Sequence, residues 1–449
     1  MTNYPINEEK AKEVIEMVKK NKIEFVDLQF TDIGGTLKRK GISAKDFESA
    51  IYKGSFFDGS SIQGYARIHE SDMILVPDLD TYKEIPTNRG RKARVICDVY
   101  TPDGKPFEGY PRFILKKEIE KMKKLLGDDS AFYVAPELEF YLLERRNESF
   151  ALHDGAGYFD AAPKDLAESI RDECIELMKK IGIEVEAEHH EVGPGQHEID
   201  IVYGDALKLG DQTVTYKMIV QAVAEKNNLL ATFMPKPFED KPGSGMHCHI
   251  NIVKEKNGKK YKNLFYDEKS EREDKLSDYA LYSIGGIMKH AKGSCAIWCP
   301  TINSYKRLGK SEAPKYIVFG HTNRSALIRI PAIRKGDYNS IRFELRCPDP
   351  SGNPYLTYAV ILADMLDGIN NKISPPKEVE KDMFHASLKR IETLPNSLEE
   401  ALRELVKDDV VKEALGEHCL DEFIRLKNAE LRDFNSHVTD WERDKYMHV

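Results

Sequence analysis

The stretch that decides the fold is VAPELEFYLL, residues 134–143. Its apolar side chains alternate with their neighbours at period two, which predicts a strand with one face made for a core. The opposite face carries Glu137 and Glu139, roughly 7 Å apart at two residues of strand rise. Two carboxylates this close destabilise each other unless positive charge lies near them. The stretch therefore predicts a strand that lines a charged site.

Length and composition limit the classes of protein to consider. The chain has 449 residues, enough for two or three domains, and its net charge of −8 argues against nucleic-acid binding through bulk electrostatics. The first 22 residues are charged throughout, and no apolar run approaches the ~20 residues that span a bilayer. Seven scattered cysteines fit a reducing compartment. We expect a cytoplasmic protein without a nucleic-acid or membrane partner.

The chain divides near residue 110. Asn7 is placed to cap a first helix, and KIEFVDLQFTDIGGTLKRKGI predicts a strand, a Gly-Gly turn and a second strand. Proline and glycine then cluster in TPDGKPFEGYP, and the helical pattern FILKKEIEKMKKLL follows. We predict a small strand-rich domain over 1–110 and a larger mixed domain over 111–449. Near the end, Ser397 and Glu400 form a capping-box pattern before a helix.

Four further stretches repeat the pattern of a core face and a charged face: HHEVGPGQHEID, GSGMHCHINI, IRFELRCPDP and RSALIRIP. A solvated strand face is the simpler interpretation of any one of them. Together with VAPELEFYLL they supply six ligands suited to hard divalent cations: Glu137, Glu139, Glu191, Glu198, His247 and Glu344. Such an oxygen-rich set favours Mg²⁺ or Mn²⁺ over Zn²⁺.

The same stretches hold three arginines whose forked donors match phosphate and carboxylate: Arg324, Arg329 and Arg346. Metals and arginines on a β-sheet indicate phosphoryl transfer. Neither a P-loop nor a Rossmann glycine motif occurs, so ATP would bind on neither. Cys295 and Cys299 have the spacing of half a metal site, but no second pair follows. We interpret them as buried free thiols.

Seven motifs occur in one order: FDGSSIQGY, PELEF, HHEVGPGQHE, GSGMHCHINI, NSYKRL with EAP, RSALIRIP and FELRCPDPSGNPYL. From about residue 20 to the C-terminus, the chain closely resembles prokaryotic type I glutamine synthetases. The resemblance implies an α+β fold, with a small β-grasp-like N-terminal domain and a larger catalytic α/β domain whose antiparallel sheet lines the active site.

The resemblance also implies an activity and an assembly. ATP would phosphorylate the side-chain carboxylate of glutamate, and ammonia would displace phosphate from the γ-glutamyl phosphate to give glutamine. Two or more Mg²⁺ or Mn²⁺ ions would serve each site. Twelve subunits would form two stacked hexamers with active sites between neighbouring subunits.

Motif by motif, the resemblance implies roles for individual residues. One metal would be held by Glu139, Glu191 and Glu198, and another by Glu137, His247 and Glu344. The glutamate substrate would be bound by Gly243, Arg307, Arg324 and Arg346. ATP would be bound by Glu186, His249, Asn251, Arg324 and Arg329. The catalytic groups would be Asp58 from the adjacent chain as general base, Glu312 closing over the site, and Arg324.

Some positions distinguish subgroups of the family. The seven-residue step from Glu191 to Glu198 resembles the alpha subgroup, which is not adenylylated, and Phe384 falls near the tyrosine that adenylylated members carry. Arg67 resembles an arginine used for glutamine feedback, although a plain surface arginine is an equal interpretation. Pro242 stands where asparagine is common.

Three alternatives stay open at this point. The first is a ligase that joins glutamate to a bulkier amine, although the carboxylates Asp58 and Glu312 favour a small cation such as ammonium. The second is a non-catalytic structural relative, although all six candidate ligand positions carry competent side chains. The third is a metal-dependent hydrolase using His247 and His249, which leaves the arginines without a role.

Overall fold

The computed structural model describes residues 4–65, 71–85, 91–146, 149–380 and 391–449. Arg67 and Phe384 lie outside these ranges, so their predicted roles stay predictions. None of the described helices combines the length and apolar character that crossing a bilayer requires.

The N-terminal part forms one five-stranded sheet with two helices. Its elements are α1 (Glu8–Lys20), β1 (Phe25–Thr31), β2 (Leu37–Ser43), α2 (Ala44–Lys53), β3 (Ser55–Asp58), β4 (Asp72–Ile85) and β5 (Lys92–Tyr100). The strand order is β2-β1-β5-β4-β3, with β1 and β5 parallel and the other pairs antiparallel. As predicted, Asn7 caps α1 by accepting a hydrogen bond from Lys10 N at 3.1 Å.

The rest of the chain builds a larger mixed sheet. Its strands are β6 (Ser130–Arg146), β7 (Ser149–Leu152), β8 (Val185–His190), β9 (Gln196–Ile201), β10 (Gly204–Asp205), β11 (Leu229–Thr232), β12 (Met246–Lys256), β13 (Lys259–Asn263), β14 (Phe319–His321), β15 (Ile328–Ile330) and β16 (Phe343–Leu345). The main strand order is β14-β15-β16-β12-β6-β9-β8, and only β14 and β15 run parallel. The other strands extend β6 and β12.

Helices cover this sheet and complete its core. They are α3 (Pro111–Leu126), α4 (Glu168–Lys180), α5 (Ala206–Lys226), α6 (Asp278–Trp298), α7 (Ser304–Arg307), α8 (Pro354–Asn370), α9 (Leu398–Leu405), α10 (Asp409–Leu415), α11 (Glu417–Ser436) and α12 (Asp440–Tyr446). Helices α6 and α8 pack against each other and are buried along most of their length. Helix α8 also packs against α3 and α5, which in turn contact strand β6 of the sheet.

The predicted Gly-Gly turn after β1 packs against the larger body. Gly35 has a φ of +85°, and a Cβ there would lie 2.9 Å from the Cα of Asn353, so only glycine fits without a shift. The Asn353 side chain caps α8 and donates to the carbonyls of Asp32 and Ile33, each at 3.2 Å. One side chain thus starts a helix and fixes the turn.

The predicted capping box before α9 forms only in part. Ser397 accepts from Glu400 N at 3.1 Å, as an N-cap should. The carboxylate of Glu400 accepts instead from the backbone of Asn396 at 2.8 Å, one residue before the cap.

Candidate active site

The two glutamates of VAPELEFYLL lie on the charged face of β6, and the neighbouring strand brings a histidine opposite one of them. His247 of β12 pairs with Glu137 in the β-register, and its Nδ1 lies 3.2 Å from Glu137 Oε2. Glu344 of β16 lies next along the sheet, with Oε1 3.7 Å from the same Nδ1. Ligand atoms of Glu137, His247 and Glu344 all lie within 4.8 Å of one another. This is the second of the two metal-ligand sets that the resemblance implies.

A hydrogen-bonded chain orients Glu137 from the other side. Arg342 Nε donates to His249 Nδ1 at 3.1 Å, and His249 Nε2 lies 2.7 Å from Glu137 Oε1. A guanidinium can only donate, so Nδ1 accepts and the imidazole proton sits on Nε2, facing the carboxylate. Burial alone would raise the pKa of Glu137, but His249 and His247 hold it well below its usual range. Glu137 is therefore a carboxylate held ready to bind a cation.

Glu344 is fully buried between two arginines. Arg329 of β15 and Arg346 each donate to one of its oxygens. Burial opposes ionisation of Glu344, but the charge of Arg346 keeps its pKa below the usual value. Cross-strand pairing of Arg329 with Glu344 places a predicted phosphate-binding group beside a predicted metal ligand.

The second group of carboxylates lies at the other end of the face. Glu198 of β9 pairs with Glu139 of β6 and with His189 of β8. Ligand atoms of His189, Glu191 and Glu198 lie within 4.8 Å of one another. Glu139 is held apart from them by hydrogen bonds from Gln196 Nε2 and Gly245 N, both at 2.9 Å.

These carboxylates lack sufficient positive charge around them. Burial, and then the charge of Glu191, raise the pKa of Glu139 to about 8. Burial likewise raises the pKa of Glu191 and that of Glu198, which also lies near Asp200. Divalent cations would relieve this repulsion, and the donors are hard oxygens with imidazoles at the edge. The residues present therefore fit Mg²⁺ or Mn²⁺.

A cavity of about 470 Å³ opens beside Glu137 on the side away from Glu139. Its lining includes three of the five predicted nucleotide residues, Glu186, His249 and Asn251, but not Arg324 or Arg329. Tyr133 and Tyr203 also line it, with ring centroids 5.7 Å apart, and so does Arg342, the residue before β16. The aromatic and charged lining suits a ligand with a flat ring at one end and anionic groups at the other.

A smaller pocket of about 70 Å³ lies on the other side of His247. It brings together Gly243, Arg307 and Glu312 from the predicted set with the carboxylates Glu139 and Glu191. Arg307 is buried and donates to the backbone carbonyls of residues 347 and 346, at 2.8 and 3.2 Å. Pro242 lines the same pocket and accepts through its carbonyl from the Tyr141 hydroxyl at 2.8 Å.

Two of the predicted catalytic residues lie together at the rim. Glu312 and Arg324 are both more than half exposed, and Arg324 Nη1 lies 3.8 Å from Glu312 Oε2. The same carboxylate oxygen lies 3.8 Å from Arg346 Nη2. A loop carboxylate and an exposed arginine thus face the buried Arg346 across the pocket mouth.

Asp58 is not brought to this face by contacts within the chain. Its carboxylate accepts from Ser60 N at 2.9 Å and from the hydroxyls of Ser60 and Ser61 at 2.6 and 2.8 Å. These bonds cap the short 3₁₀ turn Gly59–Ser61. They are also the bonds that a purely structural aspartate would make.

Sequence reasoning assigned no role to three residues that the structure places in the site. Arg342 supports His249, His189 joins Glu191 and Glu198, and Gln196 holds Glu139. All three lie within quoted motifs, and Arg342 shares a strand face with Glu344. The strand alternation was a usable signal for Arg342, whereas the partners of His189 and Gln196 depend on strand pairing.

The comparisons with known proteins agree over nearly the whole chain. Residues 22–102 match the family model "Glutamine synthetase, beta-Grasp domain", and residues 108–446 match "Glutamine synthetase, catalytic domain". The glutamine synthetase of Thermus thermophilus is 44% identical over 97% of this chain and 98% of its own length. That of Thermotoga maritima is 45% identical over 96% of this chain and 98% of its own length.

Solved structures agree with the fold. A cryo-EM structure of Plasmodium falciparum glutamine synthetase has a TM-score of 0.88 at 26% identity, covering 99% of this chain and 100% of that one. A structure described as "GmaS/ADP complex-Conformation 1" has a TM-score of 0.88 at 31% identity, covering 97% of this chain and 99% of that one. The α+β prediction of a β-grasp domain followed by a catalytic domain is confirmed. The chain belongs to the glutamine synthetase family.

Proposed function

We propose that the charged face of the large sheet is the active site, with the nucleotide and the amino acid bound on either side of His247. The chain catalyses the ATP-dependent synthesis of glutamine from glutamate and ammonia, as its full-length relatives indicate. The observation that carries the site is the convergence of Glu137, His247 and Glu344 beside Arg329 and Arg346. It puts metal-binding and phosphate-binding groups at one point.

The family uses divalent metal, and we assign two or more Mg²⁺ or Mn²⁺ ions to each site. Glu137, His247 and Glu344 would hold one ion. Glu139, Glu191 and Glu198 would hold the other, with His189 at its edge. Bound metal offsets the negative charge of two anionic substrates and of the phosphoryl group in transfer.

ATP would occupy the 470 Å³ cavity. Its base would lie near Tyr133 and Tyr203, with Glu186 and Asn251 on the walls. Its phosphates would point to His249, Arg329 and the exposed Arg324. Arg342 would act through His249 by holding its proton towards Glu137.

Glutamate would occupy the smaller pocket, with the backbone at Gly243 and the guanidiniums of Arg307, Arg346 and Arg324 as its partners. The pocket lies next to both carboxylate groups, so the side-chain carboxylate of glutamate would meet the γ-phosphoryl of ATP near His247. A carboxylate does not react with ammonia because oxide is a poor leaving group. Phosphorylation replaces it with phosphate, which leaves readily.

Carboxylates would then bind ammonium and remove its proton. Asp58 of an adjacent subunit would act as general base, and Glu312 would close over the acyl phosphate to exclude water. Among the described residues, the Asp58 carboxylate bonds only to Ser60 and Ser61, and we propose an oligomer with sites between subunits, a dodecamer of two stacked hexamers. We also propose that the two domains meet at residue 110, that the protein is cytoplasmic, and that Arg67 mediates feedback by glutamine.

The test follows glutamine and phosphate together in the purified protein with Mg²⁺, ATP, glutamate and ammonium, and with methylamine or a polyamine in parallel. We expect both products in equal amounts with ammonium. Glu344→Gln should lower the rate about a hundredfold or more, because Arg329 and Arg346 lose their charged partner and one metal loses a ligand. The matched control is Glu118→Gln, a buried glutamate on α3 paired with Lys121 at 3.1 Å.

Turnover only with a larger amine would favour the amine-ligase alternative. An unaffected Glu344→Gln enzyme would contradict the assignment of the site while leaving the activity in place. No turnover with any amine would favour the non-catalytic relative. The curated relatives at 41–45% identity are named glutamine synthetase, which favours ammonia.

A further inference from the structure

Three cysteines from two distant parts of the chain meet behind the smaller pocket. Cys295 and Cys299 lie four residues apart on one face at the end of α6, and Cys347 follows β16. The sequence showed only the first two as a pair. The exit of β16 folds back onto the end of α6 through a hydrogen bond from Asp349 N to Trp298 O at 3.1 Å, and this adds the third sulfur.

The three sulfurs have the spacing of a metal-thiolate site. Their Sγ atoms all lie within 4.8 Å of one another, and the Cys299 and Cys347 sulfurs are 3.5 Å apart. Three thiolates around one ion at a metal–sulfur distance of about 2.3 Å stand about 3.8–4.0 Å from one another. Only small side-chain shifts separate the present positions from that arrangement.

The surroundings favour a soft cation over a hard one. All three cysteines are fully buried, and sulfur ligands select ions such as Cu⁺ and Zn²⁺ rather than Mg²⁺. Asp349 is also fully buried, and it lies close enough to Cys299 for their charges to interact.

We infer that Cys295, Cys299 and Cys347 form a binding site for a thiophilic cation, Cu⁺ or Zn²⁺, separate from the carboxylate sites. Binding replaces three thiol protons, which leave to solvent, with one ion. The three thiolates and Zn²⁺ carry a net charge of −1, and with Cu⁺ the net charge is −2. The guanidinium of Arg307, which donates to the Cys347 carbonyl at 2.8 Å, offsets part of that charge.

The site is connected to the smaller pocket through one backbone oxygen. The Cys347 carbonyl accepts from the Cys299 thiol at 3.2 Å and from Arg307 at 2.8 Å. Metal binding removes the Cys299 proton and draws Cys347 towards the ion, so the support of Arg307 changes. We therefore expect weaker binding of glutamate in the metal-loaded protein, a consequence that rests on the proposed function.

The test uses the full-length protein in a phosphine reductant with saturating Mg²⁺ to fill the carboxylate sites. Cu⁺ or Zn²⁺ is added, excess is removed by desalting, and retained metal and free thiols are counted. We expect one ion per chain and three protected thiols. Both should be lost in Cys299→Ala and Cys347→Ala and kept in Cys174→Ala, a buried cysteine of α4.

Comparing the retention of Cu⁺ with that of Zn²⁺ identifies the number of ligands. Retention of Cu⁺ alone indicates three sulfur ligands, and retention of both ions indicates a fourth donor. No retained ion, or equal retention by Cys299→Ala, would overturn the site. Melting temperature and metal-free activity confirm that the variants fold.

Kinetics test the connection separately. The loaded wild-type protein should show a several-fold higher KM for glutamate and an unchanged KM for ATP, and loading should change neither in Cys299→Ala. A retained ion with an unchanged glutamate KM would remove the connection and leave the metal site standing. Loss of activity in Glu344→Gln tests the catalytic proposal independently of either result.

Discussion

Glu137 and Glu139 are two residues apart on one strand face, yet the pKa values of their carboxyl groups are shifted in opposite directions. Histidines on β12 hold the pKa of Glu137 well below the usual range, whereas burial and Glu191 raise that of Glu139 to about 8. The difference arises because strand β12 supplies donors to Glu137, whereas Glu191, in the turn after β8, brings a second carboxylate to Glu139. Neighbouring side chains, rather than position in the sequence, decide the charge of each group.

A second buried cluster, around His290, makes the stability of the fold depend on pH. His290 of α6 lies 2.8 Å from Asp408 and 2.9 Å from Asp367. Burial alone would lower the pKa of His290, but the hydrogen bond to Asp408, the charge of Asp364 and the hydrogen bond to Asp367 raise it to about 9. Lys289 also pairs with Asp367 at 2.9 Å. Protonated His290 therefore links α6 to α8 and to the start of α10.

We expect this link to stabilise the protein below pH 6.5 and to lose its effect as pH rises to about 9. A raised histidine pKa means that the folded state binds the proton more tightly, and the contribution is at most about 3 kcal/mol. The difference in melting temperature between wild type and His290→Gln should shrink over that range. The exposed His437→Gln is the control. Parallel curves for wild type and His290→Gln would contradict the prediction.

At the scale of elements, strand register assembles the site. Pairing places Glu137 opposite His247, Glu344 opposite His249 and Arg329 opposite Glu344. A slip of one residue would turn every one of these side chains to the core face. The apolar alternation of each strand therefore fixes the chemistry of the opposite face.

The two sheets are joined by a buried arginine at the start of α3. Arg112 donates to Asp211 of α5 at 2.8 and 2.9 Å, to Asp98 of β5 at 2.8 Å and to Asp78 of β4 at 2.7 Å. Arg112 is fully buried, so its removal leaves three carboxylates without their cation.

We predict that Arg112→Met lowers the free energy of unfolding by about 3–5 kcal/mol. The control is Arg145→Met, which breaks an exposed pair with Glu225 and should cost less than about 1 kcal/mol. Thermal denaturation of both variants checks the difference. Equal, small losses of stability would show that the carboxylates find other partners.

At the scale of the whole molecule, Asp58 lies apart from the other described residues of the proposed site. Every other residue of the proposed site that the structure describes lies on or beside the large sheet. Asp58 instead ends β3 at the far edge of the small sheet. An edge strand presents its end to a neighbouring chain more readily than to its own core.

Subunit complementation tests this arrangement. Asp58→Asn and Glu344→Gln should each be nearly inactive alone, because each site lacks one group. In randomly mixed rings of the two, about a quarter of the interfaces combine an intact Asp58 with an intact Glu344, so about a quarter of the activity should return. Activity no higher than the two single variants together would place Asp58 outside the site of the adjacent chain.

Much of this site was predictable from local patterns. Alternation showed which strands carry a charged face, and the hard donors on it pointed to Mg²⁺ or Mn²⁺ rather than Zn²⁺. Motif order implied the family, which the comparisons confirm. The partners of some residues were not predictable: sequence reasoning assigned no role to His189, yet pairing with β9 sets it 3.3 Å from Glu198.

By itself, the sequence determined which residue types face the core and which face the site, because period-two alternation and side-chain chemistry are local properties. Only the tertiary structure decided which of them meet. Arg342 supports His249 across 93 residues of sequence, and Cys347 meets Cys299 across 48. Contacts between distant segments depend on strand register and on how helices pack behind the sheet, and no local pattern encodes them.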